Sequence, residues 1–418
     1  MDERATIARL HRRLGFGLSG DALDAAAGRG TATALAELVD PDRAGVPQTA
    51  DPFAGLDLTY EKGQVAEQAV AMVAGWIDLM VASTRPLEDW TAWFWHGHFV
   101  SSIEKVRRPA LMADQVRLFQ AKGMGAFPEL VRAVTIDAAM LWYLDGRTST
   151  GAKPNENFGR ELLELFTLGR GHYTEADVQA GARALTGYHL SKNDTGDPQL
   201  VARAHDDRPQ HYLGLEGVHD VDTVVRAVTG HPACAMHVAA KLARAVLGPA
   251  VDDDHVTAAT AAFRGSGLSV RALAGALGQM LIDGVDGGPV VLAPVPWLVA
   301  CLRATGARLE PKVLARGLRA AGQLPLAPPN VAGWPSGEAW FASATIVARF
   351  DLAAAVAVAT PAGNPCRDAA ERGDADALAH TLGLPGPFSS STAHAVGSVD
   401  DPLSRLVVAL TSSDVVLA

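Results

Sequence analysis

Apolar side chains return every three or four residues along most of this chain, and Gly, Pro or a capping residue interrupts them before any run grows long. That period belongs to amphipathic helices. The segment from Gln64 to Ala82 shows it well, with Val65, Ala69, Met72, Val73, Trp76 and Leu79 on one side. Pro86, Pro109, Pro128, Pro232, Pro296 and Pro311 each stand where a new periodic stretch begins. Proline suits the first turn of a helix, where its missing N–H has no partner to lose. The expected class is all-α: a large multi-helix body with long irregular loops near 189–220 and 322–341. Two lobes, or one broad layered body, are expected from size alone, since 418 residues exceed the roughly 250–300 at which a single core stops growing. No fixed-period repeat is present, which disfavours a solenoid.

The expected division is an N-terminal helical lobe at 1–190, a polar loop or insertion at 191–220, a second helical lobe at 221–360, and a C-terminal part at 361–418. That last part reads as a linker over 361–373 followed by short helices near 374–383 and 401–410. The net charge of −10 argues against a nucleic-acid partner held by a basic surface. Cys234, Cys301 and Cys366 are odd in number and far apart, so neither a disulfide framework nor a thiolate metal site is expected. The first residues lack an apolar h-region, and no apolar run is read as approaching the roughly 18 residues of a membrane span. A cytoplasmic chain with no membrane partner is the expectation.

One stretch concentrates chemistry, Asn155-Glu-Asn-Phe-Gly-Arg-Glu-Leu-Leu-Glu-Leu-Phe-Thr-Leu-Gly169. Asn155 is placed to cap a helix and Gly169 to close it. At helical spacing Leu162, Leu165 and Phe166 fall on one face, while Asn157, Arg160, Glu161 and Glu164 fall on the other. Glu161 and Glu164 offer two carboxylates to one cation, or one of them serves as a general base while Arg160 neutralises its neighbour. The plainer reading is a surface ion-pair ladder.

Three further places carry ligand-type residues. Trp95-His96-Gly97-His98-Phe99 sets two imidazoles two residues apart. On a regular helix they point about 200° apart and share no ion; a break at Gly97 would let both chelate. His205-Asp206-Asp207 lies in the long polar loop, where a vicinal His-Asp pair is either a metal-site component or a turn. Pro328-Pro-Asn-Val-Ala-Gly-Trp-Pro335 is a rigid loop whose Trp334 anchors either a ligand or a packing contact. His172 reads as a solvent-facing turn residue, and His231, His237 and His255 as structural or exposed. The common nucleotide-binding and hydrolase signatures are absent.

Taken in order, Arg13-Leu-Gly-Phe-Gly17, Phe94-Trp-His-Gly-His-Phe99, Pro154 to Gly169, Tyr173-Thr-Glu-Ala-Asp-Val178, Ala182-Arg-Ala-Leu-Thr-Gly187, His205-Asp206 and Pro328 to Pro335 resemble the bacterial family called "domain of unknown function 1800". The resemblance runs from near residue 10 to about residue 355. It implies a predominantly helical protein without an established activity. It also implies a setting in which many members are exported and many are encoded beside a family resembling sulfatases, so a sulfatase-like protein partner follows by analogy. Phe158-Gly159 stands where relatives often have Tyr-Ala; Gly inside a helix costs about 1 kcal/mol against Ala, and close approach of another backbone would explain the choice.

Two functions follow. In the first, an enzyme, Glu161, Glu164, Arg160 and Asn157 act in a cleft with His96, His98, His205 and Asp206. A divalent metal ion there activates water or serves redox chemistry. Arg183 and Trp334 hold a polar or anionic substrate. In the second, a helical binding or assembly module, the same polar residues form an ion-pair network that fixes helix register, and the partner is an unknown small molecule or protein.

Overall fold

Each proline singled out above sits in the first turn of a helix: Pro86–His98, Pro109–Lys122, Phe127–Thr135, Pro232–Leu247, Pro294–Thr305 and Pro311–Ala320. The structure is a computed structural model that describes residues 2–61, 63–191 and 197–418. It is 62% helical with 4% strand, so the chain is all-α. Capping chemistry sets many of the boundaries. Asp137 ends one helix and starts the next by accepting from the Met140 N–H at 2.8 Å. Thr174 and Asp177 form a reciprocal capping box at the start of Glu175–Ala184.

The polar stretch after residue 187 is held by two short antiparallel pairs, Tyr188–His189 with Gln199–Leu200 and Gln210–Tyr212 with Leu215–Val218. The second turns through Leu213 and Gly214, both at positive φ (49° and 78°), the two-residue geometry that matches strand twist. The Leu213 N–H donates to Asp177 at 2.7 Å, which ties the hairpin to the capping box.

Several expectations are corrected. Residues 361–373 are not a linker: Asn364 caps the helix Pro365–Arg372, whose Cys366, Ala369 and Ala370 are buried. Short helices at Ile103–Val106, Ser390–Gly397 and Ser413–Val416 fall where the sequence offers too few turns for a period to show. Val65–Ala82 is long and apolar enough, by length and composition, to cross a membrane, contrary to the reading that no stretch approached that length. It carries Glu67 and Asp78 and buries Met72, Val73, Trp76, Ile77 and Met80 against the rest of the chain.

Buried apolar side chains from Ile7 to Val416 belong to one cluster, which crosses the boundaries drawn at 190, 220 and 360. The chain's two ends meet in it. Arg12 donates to the carbonyls of Val415 (2.9 Å) and Leu417 (2.7 Å), and Arg13 to those of Leu247 (2.8 Å) and Ala418 (2.7 Å). Burial pulls both guanidinium pKa values down to about 10, so these cations are held by carbonyl dipoles more than by acids. The Arg-Arg-Leu-Gly-Phe-Gly stretch is thus a clamp on the last residues.

Candidate functional site

The central stretch begins as expected and ends otherwise. Asn155 accepts from the Asn157 N–H at 2.9 Å, and an α-helix runs Glu156–Glu161. Leu162–Thr167 then widens into a π-helix. Leu168 and Gly169 both donate to the Leu163 carbonyl (2.9 and 3.1 Å), and Gly169 turns left-handed at φ 80°. The carbonyls of Leu165 and Phe166 accept from side chains instead: Phe166 from His98 Nε2 at 3.0 Å, Leu165 from His237 Nε2 at 3.1 Å and Lys241 Nζ at 3.4 Å. π-Turns of this kind gather at functional sites. Two imidazoles and an ammonium at the negative end of a helix also satisfy its orphan acceptors and its dipole.

These bonds fix the His98 tautomer. Nε2 must carry the proton given to Phe166, so Nδ1 presents a lone pair, and Lys241 Nζ lies 3.0 Å from it. Burial first, then the charge of Lys241 and the nearness of His237, hold His98 well below the usual imidazole range. Burial lowers Lys241 to about 8. His237 is lowered by burial and, beyond it, by Lys241 and His172, against the opposing pull of the Leu165 bond.

The charged face divides into separate pairs. Arg160 turns away from Glu164 and grips Glu175 with both Nη atoms at 2.6 and 3.0 Å. Glu164 takes Arg170 at 2.6 Å and the Tyr173 hydroxyl at 2.8 Å. Glu161 makes no ion pair among the described residues; burial and the Glu164 charge raise its pKa, and Tyr143 is raised by burial first and by the Glu161 charge second. The Asn157 side chain is exposed. Gly159 is where another backbone passes: a Cβ there would stand 3.2 Å from both Ala182 N and Val178 O.

Beside this face opens a cleft of about 580 Å³, lined by His172, Tyr173, Asp177, His211, Leu213 and His231, among others. Three imidazoles from three chain segments meet there. The rings of His172 and His231 have centroids 6.3 Å apart. His231 Nδ1 accepts from the Ala233 N–H at 3.2 Å, capping the Pro232–Leu247 helix, and burial and His172 lower its pKa. Burial disfavours the Asp177 carboxylate, but bonds from Thr174 and the Leu213 N–H outweigh it and leave the group below its usual value.

The remaining sequence candidates lie elsewhere. His96 is fully buried, accepts from the Leu326 N–H at 3.1 Å through Nε2, and packs on Trp76 and Trp334. Trp334 stacks on Trp93 with centroids 5.0 Å apart. Pro86–His98 stays helical through Gly97, so His96 and His98 are not brought onto one point. His205 Nδ1 binds the Thr186 carbonyl at 2.8 Å. Asp206 is paired with Arg208 at 2.6 Å, and the loop lies close on two glycines, His205 over Gly187 and Asp206 over Gly151. Arg183 is exposed and acts on Asp206 only through its charge. Among the described residues, no group of three His, Cys, Asp or Glu is arranged to hold a metal ion. Of the three pieces expected to converge, His98 does meet the central helix, at its carbonyl end and not on its acidic face.

The family model described as "Protein of unknown function (DUF1800)" matches residues 9–412. The chain belongs to that family. No curated protein and no solved structure matches it. The DUF1800 description assigns no chemistry, so the roles of residues here rest on their geometry. Within this DUF1800 chain the residues that sequence reasoning passed over are His172, His211, His231, His237 and Lys241. One signal was available: His237 and Lys241 stand at i,i+4 on a helix that His231 opens, which places an imidazole and an amine on one face.

Proposed function

We propose that this protein is an enzyme that moves protons on a small polar or anionic substrate held in the cleft of His172, His211 and His231. The observation that carries the reading is the meeting of three imidazoles from separate segments in one opening, of a size suited to a small ligand. Imidazole is the side chain best matched to acid–base work near neutral pH. His231 has its Nδ1 engaged by the backbone, so Nε2 is its free nitrogen. Tyr173 lines the same opening and is tied to Glu164, which links the cleft to the acidic face of the central helix.

The test is a panel of p-nitrophenyl carboxylate, phosphate and sulfate esters, together with α-proton exchange of small 2-oxo acids in D2O followed by NMR, with the full chain. Turnover is expected on at least one, falling about 100-fold or more in His172→Ala and in His231→Ala. Turnover indifferent to both substitutions, or none across the panel, overturns the reading. A second reading, a binding module without turnover, is favoured by one observation: Arg160, Glu164, Arg170 and Glu175 are all engaged with one another or with Tyr173. It predicts ligand-induced shifts of the cleft imidazole resonances with no product formed.

A further inference from the structure

Seven of the 36 basic side chains in this chain are lysines. Its buried cations, Arg9, Arg12, Arg13, Arg85 and Arg349, are arginines. Among the described lysines, Lys105, Lys122, Lys153 and Lys312 are exposed and only Lys241 is half-buried. Arginine does not give up its proton in a protein, whereas a desolvated lysine does. Lys241 makes no ion pair with an acid among the described residues; its partners are two acceptors, His98 Nδ1 at 3.0 Å and the Leu165 carbonyl at 3.4 Å. The lone pair aimed at it belongs to a ring whose tautomer is locked by Phe166. On its own helix it neighbours His237, which shares the Leu165 carbonyl and feels His172 of the cleft.

We propose that Lys241 is an amine nucleophile for a carbonyl substrate, with His98, whose Nδ1 lone pair faces Nζ, as its positioning residue. This rests on the cleft reading for where the substrate enters, and it narrows the substrate class to aldehydes and ketones. The neutral Nζ lone pair forms a C–N bond to the carbonyl carbon while the C=O π pair moves to oxygen, and one N–H proton passes from nitrogen to that oxygen to give a carbinolamine. A proton from solvent then lets the oxygen leave as water while the nitrogen pair closes the protonated imine, whose remaining N–H proton returns to solvent. The step consumes no oxidant or reductant. The groups facing the amine are His98 from the Pro86–His98 helix, the Leu165 carbonyl from the central segment and His237 from its own helix. Burial is what lowers its proton affinity.

The experiment is reductive trapping on the full wild-type chain with glyoxylate and cyanoborohydride, followed by peptide mass mapping from pH 6 to 11. Labelling of Lys241 is expected to have a midpoint near 8, against roughly 10.4 for ordinary lysines. At pH 7.5 it should exceed that of Lys105, Lys122, Lys153 and Lys312 by tenfold or more. Labelling no faster than those four overturns the proposal. His98→Phe, which keeps the aromatic packing but offers Nζ no acceptor, should slow Lys241 about tenfold and leave the exposed lysines unchanged, whereas His98→Gln, which still offers one, should restore the rate. Equal Lys241 labelling in the Phe variant overturns the role given to His98. The readout needs no turnover and no cleft histidine, so it fails or succeeds separately from the ester panel.

Discussion

Asp137 shows how a single buried group couples this fold to pH. One of its oxygens accepts both the Met140 N–H and the Gln115 amide, at 2.8 and 2.7 Å. Burial nonetheless pushes its carboxyl up to about 7. A folded value above the unfolded 3.8 means the stabilising contribution is complete below pH ~4 and declines as pH rises through about 7. Asp137→Asn keeps one oxygen for both donors and removes the titration. Compared with the parent, its stability should therefore improve by on the order of 2 kcal/mol between pH 5 and 9, measured by urea denaturation at both values. At His96 and His98 the ring nitrogens that make bonds hold a backbone N–H, a backbone carbonyl and a lysine. Elemental analysis of protein purified without a histidine tag is expected to find no stoichiometric metal bound by this pair. The residue types at these positions were legible in the sequence. Their partners were not, because Leu326, Phe166 and Lys241 are brought in from distant segments.

At the scale of elements, capping residues and prolines located helix starts closely, since each acts on its own first turn. Asn155 caps where expected, and Thr174 and Asp137 likewise cap their own first turns. The π-turn at Leu162–Thr167 was not legible. It depends on carbonyl acceptors being claimed by His98, His237 and Lys241, and a face drawn at 3.6 residues per turn loses its phase once the helix widens. Leu165, assigned to the buried face, is half-exposed for that reason. The oddity at Gly159 was legible as a close approach, and the backbone of Glu175–Ala184 is what approaches. Gly159→Ala gains helix propensity but must push that helix by a few tenths of an ångström, so it should be nearly neutral. Gly159→Val adds bulk that neither backbone can yield to and should cost about 2–3 kcal/mol, read by chemical denaturation of the two variants side by side.

For the whole molecule, the all-α class followed from periodicity, while the linker did not survive contact with the core, and one apolar cluster runs across the boundaries drawn between the lobes. Chain length counts residues, not the surfaces they bury, and 361–373 looked like a linker only because its helix is short. With one connected apolar cluster, calorimetry should record a single cooperative unfolding transition; two separated transitions would restore two lobes. Deleting residues 413–418 would strip Arg12 and Arg13 of carbonyl partners while leaving their cations enclosed. That truncation should cost about 3–5 kcal/mol and lower the melting temperature measurably. The clamp also sets an order of events during synthesis. A ribosome adding roughly 5–20 residues each second makes Arg12 and Arg13 long before Val415 and Leu417 exist. For tens of seconds the amino-terminal helix carries two guanidinium groups whose native resting place has not been translated, so the nascent chain stays unfinished at its beginning until its end arrives.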